Sequence, residues 1–266
     1  MTNKTLSEII NAGEAGDSGV LYPVTENWKQ GRTAYGGFTT SIMLNAAHRL
    51  GVDLPPLRSA LVNFTAPVTA APMVHTEITR QGRNITTIAA RAEVDGKLAA
   101  TATFAFGKAQ ESQISVQMSG PEANAPEDTH HYFPPELARP PVAFFENFDV
   151  RLIDGAIPFS GAERGYVRAW ARHKDENMRN SMDGLIAIAD VLPPAVFPML
   201  RTPGPNSSVN WICNFLAERP QTRDGWWMLE NQLSAGSNGY SSQLMRIWNT
   251  EGELVVDGMQ SVVIFV

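Results

Sequence analysis

Two polar residues interrupt apolar stretches in the second half of the chain, and their types could perform acid–base chemistry. Asp190 lies in the otherwise apolar run 185–192, where burial of a carboxylate is costly unless it has partners. Gln260 lies in the apolar segment 254–265, where a buried amide also needs hydrogen-bond partners. A carboxylate held beside a water molecule can act as a general base and take a proton from it.

Each of the two residues alone also has a simpler explanation. Asp190 could face solvent or cap the turn that follows it, and Gln260 could be a hydrogen-bonded residue of the core or of a sheet edge. An internal repeat favours function, because aligning its two copies places Met43 opposite Asp190 and Phe104 opposite Gln260. Since one copy is polar where the other is apolar, the pair is a stronger signal than either residue alone.

The repeat consists of a helix-like apolar run, a first extended segment and three alternating segments, and an acid–glycine pair joins the last two. These pairs, Asp95-Gly96 and Glu251-Gly252, are typical of short hairpins. Helices are expected at 37–50 and 182–192. Strands are expected at 57–64, 73–80, 85–94 and 98–106, and at 145–152, 165–173, 207–215, 226–234, 241–248 and 254–265. Each half is thus predicted to be an antiparallel sheet wrapped around one long helix. The result is an α+β fold copied in tandem, with function at the seam.

Composition limits the class of protein. The chain has 266 residues, and its 43% hydrophobic and 18% charged content is ordinary for a soluble globular protein. Its formal charge of −6 disfavours a nucleic-acid partner, because phosphates attract basic surfaces. The single cysteine, Cys213, excludes an intramolecular disulfide and fits a reducing compartment. The first residues lack a signal-peptide core and no apolar run has membrane-spanning length, so we expect a cytoplasmic protein without a membrane partner.

A proline-rich stretch separates the two halves. Residues 113–141 contain six prolines among acidic and small residues, so packed structure is not expected there. The predicted organisation is therefore a first domain at 1–112, a linker at 113–141 and a second domain at 142–266, which carries both polar candidates.

Several short motifs occur in the order and spacing of a known family. They are Gly31-Arg32 followed by Gly36-Gly37-Phe38, then Asn63-Phe64 with Pro67, and Arg80-Gln81-Gly82-Arg83 at the start of the next strand. With its tandem arrangement, the chain resembles the double-hotdog acyl-CoA thioesterases of the bacterial acyl-CoA thioesterase II type over residues 28–106 and 145–266. The resemblance implies a tandem hotdog fold and hydrolysis of an acyl-CoA thioester to a free acid and coenzyme A.

The resemblance also assigns a catalytic site. In that family an Asp, a Thr and a Gln hold the nucleophilic water, and the matching positions here are Asp190, Ser208 and Gln260. Serine keeps the hydroxyl that threonine would supply, and Ser207 takes this place if the register slips by one residue. A serine that follows Gly204-Pro205-Asn206 is, however, more often part of turn chemistry. The resemblance implies no metal and no other cofactor.

Substrate-binding residues are expected near the start of the first long helix. Backbone N–H groups at a helix N-terminus stabilise developing negative charge. Gly36 and Gly37 allow a close backbone approach there, although the pair could equally form a tight loop-to-helix turn. Arg32, Arg58 and Arg83 could bind the phosphates of coenzyme A, although each could equally be a solvated surface charge. The resemblance further implies a homo-oligomer, either a dimer or a larger assembly.

Two other functions stay open at this point. The family often has Asp-His after the hydroxyl residue, where this chain has Asn210-Trp211. A non-catalytic acyl-CoA-binding or lipid-binding protein is therefore the main alternative. A hotdog hydratase would need an Asp-His pair before a helix, and neither Tyr35-Gly36-Gly37 nor residues 180–183 supply one. Cys213 lies in an apolar strand and is expected to pack as a small hydrophobic residue.

Overall fold

The computed structural model describes residues 2–16, 18–134, 136–137 and 139–265. Outside these ranges lie Met1, the first residue of the first predicted domain, Val266, the last residue of the second, and Pro135 in the predicted linker. In the described part of the chain, α-helices are few and a long antiparallel sheet dominates. No helix there combines the length and apolar character needed to cross a bilayer.

The first half contains two helices and eight strands within the described residues. They are α1 Leu6–Asn11, β1 Glu14–Ala15, β2 Val20–Leu21, β3 Lys29–Gln30, β4 Thr33–Ala34, α2 Gly36–His48, β5 Leu57–Phe64, β6 Met73–Gln81, β7 Ile85–Val94 and β8 Lys97–Gly107. The predicted helix and the four predicted strands of this half are confirmed to within a residue or two. The Asp95-Gly96 pair joins β7 to β8, and both residues have positive φ, 50° and 72°, as a tight hairpin turn of this type requires.

The second half repeats that arrangement. Its elements are β9 Phe148–Gly155, β10 Tyr166–His173, α3 Met182–Ile188, β11 Asn206–Phe215, β12 Trp227–Ser237, β13 Tyr240–Trp248 and β14 Leu254–Ile264. All six predicted strands are present. Buried and more exposed residues alternate along the strands, as in β7 and in the later part of β14.

One continuous twelve-stranded sheet unites the halves, in the order β1-β2-β6-β7-β8-β5-β11-β14-β13-β12-β10-β9. Outward from the centre, the order β5-β8-β7-β6 in the first half matches β11-β14-β13-β12 in the second. The two copies meet where β5 pairs with β11 in antiparallel register, with Val62 opposite Trp211 and Ala60 opposite Cys213. The tandem organisation predicted from the repeat is thereby confirmed.

Helix α2, of 13 residues, and the shorter α3, of 7 residues, pack against each other at the seam. Gly37 of α2 lies so close to α3 that a Cβ atom there would be 2.2 Å from the carbonyl oxygen of Ala187. The hydroxyl of Tyr35, just before α2, donates to the same oxygen at 2.8 Å, and the hydroxyl of Ser41 donates to the carbonyl oxygen of Asp183 at 2.9 Å. The helices are therefore held at a distance that only glycine permits.

The second helix ends earlier than predicted. We expected it to extend over 182–192, but α3 ends at Ile188, and Asp190 lies in the turn that follows. The backbone N–H of Val191 donates to the carbonyl oxygen of Ile188 at 3.0 Å, which tightens this turn. Pro193 disfavours helical geometry only at Leu192 before it, so it limits how far the helix can extend, and the turn closed by Val191 ends the helix earlier, at Ile188. Asp190 is thus positioned by a turn rather than by a helix.

Part of the predicted linker is packed, contrary to our expectation. The backbone N–H of Gly120 donates to Gly252 at 2.8 Å, and two indole N–H groups, of Trp248 and Trp170, donate to the backbone of Met118 and Asn124 at 3.1 and 2.9 Å. Further along, Tyr132 is buried among aromatic rings. The expectation of an unpacked stretch is wrong here because buried indole N–H groups need acceptors, and the irregular backbone supplies them.

Candidate active site

Asp190 lies against the N-terminus of α2, so its carboxylate joins the two halves. Gly36 makes this approach possible, since a Cβ atom on it would lie 2.7 Å from Asp190 Oδ2 and 3.1 Å from the ring of Phe64. Gly36 and Gly37, predicted as substrate-binding residues, are therefore both placed beside the predicted catalytic acid. The missing Cβ atom of Gly36 leaves room for the carboxylate of Asp190, and the missing Cβ atom of Gly37 leaves room for helix α3.

Gln260 holds the carboxylate from the sheet side. Its Nε2 donates to Asp190 Oδ1 at 2.9 Å, and its side chain is only 2% exposed on the inner face of β14. Two residues that are 70 positions apart in sequence thus form one hydrogen-bonded pair, as the repeat comparison indicated. The residues opposite them in the first copy, Met43 and Phe104, are fully buried apolar side chains, so this pairing has no counterpart there.

The surroundings of Asp190 shift its acidity towards neutral pH. Burial raises the pKa of Asp190 from its ordinary 3.8 to about 7, while the Gln260 amide and the backbone N–H of Gly37 oppose that shift by favouring the charged form. Asp190 as a whole keeps some solvent exposure, but its carboxylate is enclosed by protein, and this enclosure decides the direction of the shift. A carboxylate with a pKa near the working pH is suited to act as a general base.

Two neighbouring groups stay neutral beside this carboxylate. The pKa of the Tyr35 hydroxyl and that of the Cys213 thiol are both raised well above their usual values, mainly by burial and further by the charge of Asp190. Cys213 is 1% exposed, which confirms that it packs as a small hydrophobic residue. A raised pKa makes a thiolate scarce, so the chemistry of this site centres on the carboxylate.

Ser208 lies nearby but is not joined to the pair. It is opposite Val262 of β14, two residues beyond Gln260, and a β-bulge between Ser208 and Asn210 interrupts the register. Among the described residues, no hydrogen bond links Ser208 to Asp190 or Gln260. The hydroxyl of Ser207, the alternative candidate, donates to the carbonyl oxygen of Ser208 at 3.2 Å. The catalytic role of Ser208 therefore stays a prediction.

The three arginines that we expected to bind phosphate have different surroundings. Arg32 and Arg83 are exposed. Arg58 is partly buried and donates to the backbone of Gly107 at 2.9 Å and to Glu218 Oε1 at 2.7 Å. Arg58 thus pairs with the second half of the chain, and no hydrogen bond or ion pair of the described residues joins any of the three arginines to Asp190.

Sequence reasoning missed Gln243 on β13. This residue is 1% exposed, and its Nε2 donates to Gln260 Oε1 at 2.8 Å. The two glutamines are direct cross-strand partners. Counting outward from the Glu251-Gly252 hairpin would have paired them, so a usable signal was present. The same register places Trp211 opposite Gln260, with a buried indole N–H that has no partner among the described residues.

Two cavities of the described residues lie away from Asp190 and Gln260. Two surface cavities of about 420 Å³ each are lined by residues such as Arg164 and Glu230 in one and His130 and Arg151 in the other. Neither includes Asp190 or Gln260. In the residues that the structure describes, no three His, Cys, Asp or Glu side chains converge in the manner of a metal site.

A methyl group added at Gly36 is expected to impair function more than folding. The added methyl would lie 2.7 Å from Asp190 Oδ2. Gly36→Ala should therefore displace the carboxylate and lower kcat for the expected thioester hydrolysis by about 10- to 100-fold. Alanine suits the first helical turn, so the melting temperature should change little. Parallel kinetics and thermal unfolding check this, and a variant that keeps wild-type kcat would contradict the position given to Asp190.

Family profiles match both halves of the chain. Acyl-CoA thioesterase N-terminal domains match residues 24–107, and acyl-CoA thioesterase C-terminal domains match residues 120–264. A search among proteins of curated function finds no match. The family matches therefore cover most of the chain, and they follow the order of the two predicted units.

Solved structures share the architecture over its full length. A hot dog fold protein of unknown function from Alicyclobacillus acidocaldarius aligns with a TM-score of 0.87 at 22% identity, over 100% of this chain and 99% of that chain. A tesB protein from Mycobacterium avium subspecies paratuberculosis aligns at 0.78 and 17% identity, over 98% of each chain. Acyl-CoA thioesterase II TesB2 from Mycobacterium marinum aligns at 0.76 and 20% identity, also over 98% of each. The predicted tandem hotdog fold is confirmed.

Proposed function

The chain belongs to the acyl-CoA thioesterase family, and we propose that it hydrolyses an acyl-CoA thioester to a free acid and coenzyme A at one site around Asp190. The observation that carries this proposal is the enclosed carboxylate, hydrogen-bonded by Gln260 at 2.9 Å and placed at the N-terminus of α2. Family membership supports thioester hydrolysis in general. The geometry of the pair supports the choice of residues.

In the proposed reaction, Asp190 is the general base. It takes one proton from a water molecule while the water oxygen forms a bond to the thioester carbonyl carbon. The tetrahedral intermediate then breaks its C–S bond, and the proton on Asp190 passes to the departing thiolate of coenzyme A. A carboxylate whose pKa is raised to about 7 can both accept and return a proton at neutral pH.

The water and the developing charge need their own partners. One N–H of Gln260 Nε2 is used by Asp190, and we assign its second N–H, together with the hydroxyl of Ser208, to the water. The N-terminus of α2, at Gly36 and Gly37, supplies a dipole that favours negative charge at this place. Arg32 and Arg83 are exposed and stay candidates for the phosphates of coenzyme A, whereas Arg58 would first have to leave Glu218.

Free-thiol release from a panel of acyl-CoA thioesters of different chain length tests the proposed function directly. Turnover of at least one thioester, with kcat that depends on Asp190, is the expected result. Tight binding of acyl-CoA without release of thiol would contradict the proposal and favour the non-catalytic acyl-CoA-binding or lipid-binding protein. The homo-oligomer and the cytoplasmic location stay predictions.

The rate of hydrolysis is expected to rise with pH and to level off above a midpoint near 7. Only the ionised carboxylate accepts a proton from water, and the pKa of Asp190 is raised to about 7, so the protonated, inactive form prevails below this value. Well below the midpoint, kcat should fall about tenfold per pH unit. A profile that is flat between about pH 5 and about pH 9 would contradict the assignment of Asp190 as the base.

A further inference from the structure

A chain of three hydrogen bonds connects the backbone of a loop to the carboxylate of Asp190. The backbone N–H of Ala195 donates to Gln243 Oε1 at 2.6 Å. Gln243 Nε2 donates to Gln260 Oε1 at 2.8 Å, and Gln260 Nε2 donates to Asp190 Oδ1 at 2.9 Å. Both glutamine side chains are at least 98% buried, so water cannot readily replace these partners.

The groups at the two ends of this series of hydrogen bonds determine which atom donates and which accepts at each step. Side-chain amide oxygen and nitrogen atoms are normally assigned from their hydrogen-bond networks. Here the Ala195 backbone can only donate, so Gln243 must present its oxygen to it and its nitrogen to Gln260. Gln260 must then accept with its oxygen, which leaves its nitrogen for Asp190. A carboxylate only accepts when ionised, so the far end agrees with the near end.

Both ends of this hydrogen-bond relay, Ala195 and Asp190, lie in one loop, residues 190–195. A second buried amide, Asn231 of β12, also holds this segment, through Nδ2 contacts to the carbonyl oxygens of Leu192 and Pro193 at 3.4 and 3.2 Å. Asn231 fixes the loop, and no hydrogen bond of the described residues joins its side chain to Gln260 or Asp190. Asn231 therefore anchors the loop alone, whereas Gln243 both anchors the loop and orients the Gln260 amide.

We propose that Gln243 is a positioning residue for the hydrolysis described above, because it fixes Gln260 in the orientation that donates a hydrogen bond to Asp190. This inference rests on the proposed function for its catalytic meaning, although the hydrogen-bond relay itself does not. Without Gln243, the Gln260 amide loses the partner that defines its orientation, and its oxygen can turn towards the carboxylate. Such a turn would replace an attraction by a repulsion between two acceptors.

The balance of charges around Asp190 makes the effect measurable. The groups that favour its ionised form are the Gln260 amide and the backbone N–H of Gly37, and burial opposes both. The titratable groups packed around it are Tyr35 and Cys213, whose own pKa values are raised, so they stay neutral while Asp190 titrates. Since no basic side chain shifts Asp190 within the described residues, loss of the Gln260 donor should register directly in its pKa.

The test uses the full-length chain with Gln243→Met, Gln260→Met and the double variant, and with Asn231→Leu as the matched loop-anchoring control. Asp190 is titrated by ¹³C NMR of labelled aspartate carboxyl groups, and Asp190→Asn identifies its signal. The relay predicts that Gln243→Met raises the Asp190 pKa by about one unit, as Gln260→Met does. The double variant should shift no further, because Gln243 acts through Gln260. Asn231→Leu should lower the melting temperature without moving the pKa.

Kinetics add a second reading of the same variants. Gln243→Met should move the midpoint of the kcat profile upward and lower kcat, with KM nearly unchanged, because no contact to substrate is removed. Gln243→Met that behaves as Asn231→Leu does, or pKa shifts that add in the double variant, would overturn the relay. If the wild type hydrolyses no acyl-CoA, the proposed function fails, while the carboxylate titration still decides the relay.

A measurement on the unaltered protein covers the case in which Gln243→Met does not fold. The side-chain NH₂ signals of Gln260 and Gln243 should both follow the titration of Asp190, with the larger change at Gln260, because the bonds are consecutive. Signals of both amides that ignore this titration would overturn the inference without any substitution.

Discussion

Asp190→Asn is expected to lower kcat for acyl-CoA hydrolysis by about 10²- to 10⁴-fold, the range that positioned general bases usually contribute. Asparagine keeps the size of the side chain and its acceptor for Gln260, but it cannot take a proton from water. Burial raises the pKa of this carboxylate to about 7, which suits a general base, so its loss should remove the chemistry and not the fold. Release of free thiol under saturating substrate measures the effect, and circular dichroism checks that the protein is folded.

Asp183→Asn is the matched control for this experiment. Asp183 is a second enclosed acid at the seam, near the start of α3, where Asn45 Nδ2 donates to it at 3.1 Å. Burial raises its pKa as well, yet it has no contact with Gln260. We expect the kcat of Asp183→Asn to stay within a few-fold of the wild-type value. Equal losses in the two variants, or near-normal turnover by Asp190→Asn, would refute the site.

Gly37→Ala is expected to destabilise the protein strongly, by about 1–3 kcal/mol or more. The added methyl would lie 2.2 Å from the carbonyl oxygen of Ala187 and 2.8 Å from the ring and hydroxyl of Tyr35. The first contact is with backbone, which cannot turn aside as a side chain can, so α2 and α3 would have to separate. Since Asp190 follows α3 by two residues, activity should fall together with stability. Urea unfolding measures the loss.

Gly236→Ala provides the comparison for Gly37→Ala. A Cβ atom at Gly236 would meet its nearest neighbour at 3.4 Å, an ordinary contact, so this change should leave the free energy of unfolding nearly unaltered. If both alanine variants unfold at the same urea concentration as the wild type, the close packing of α2 on α3 is not what holds the seam.

The sheet was largely predictable from the sequence, because period-two alternation and hairpin turns are local signals. The six strands of the second half and the Asp95-Gly96 turn follow from such patterns. The end of α3 was not, since the apolar run continues past Ile188 and Pro193 restricts the backbone only from Leu192 onward. The packed part of residues 113–141 also escaped, because its partners are indole N–H groups far away in sequence.

The candidate site divides in the same way. Asp190 and Gln260 were found together because the repeat supplies an internal comparison, and the hydrogen bond between them confirms their proximity. The surroundings of Ser208 could not be read from the sequence, since a β-bulge beside it changes the register of β11 against β14. Arg58 shows the same limit: its pairing with Glu218 depends on how the two halves meet.

The antiparallel ladder between β5 and β11 has a consequence for how substrate can enter. Hinge-like opening of one half of the chain from the other would break the row of backbone hydrogen bonds between β5 and β11. Such an opening motion is therefore disfavoured. Access to the enclosed carboxylate of Asp190 is therefore expected to depend on movement of nearby side chains and loops, such as Phe64 beside Gly36 and the segment 190–195. Separately produced lobes would each present a bare strand edge, and mixing them should restore one molecule by mutual pairing.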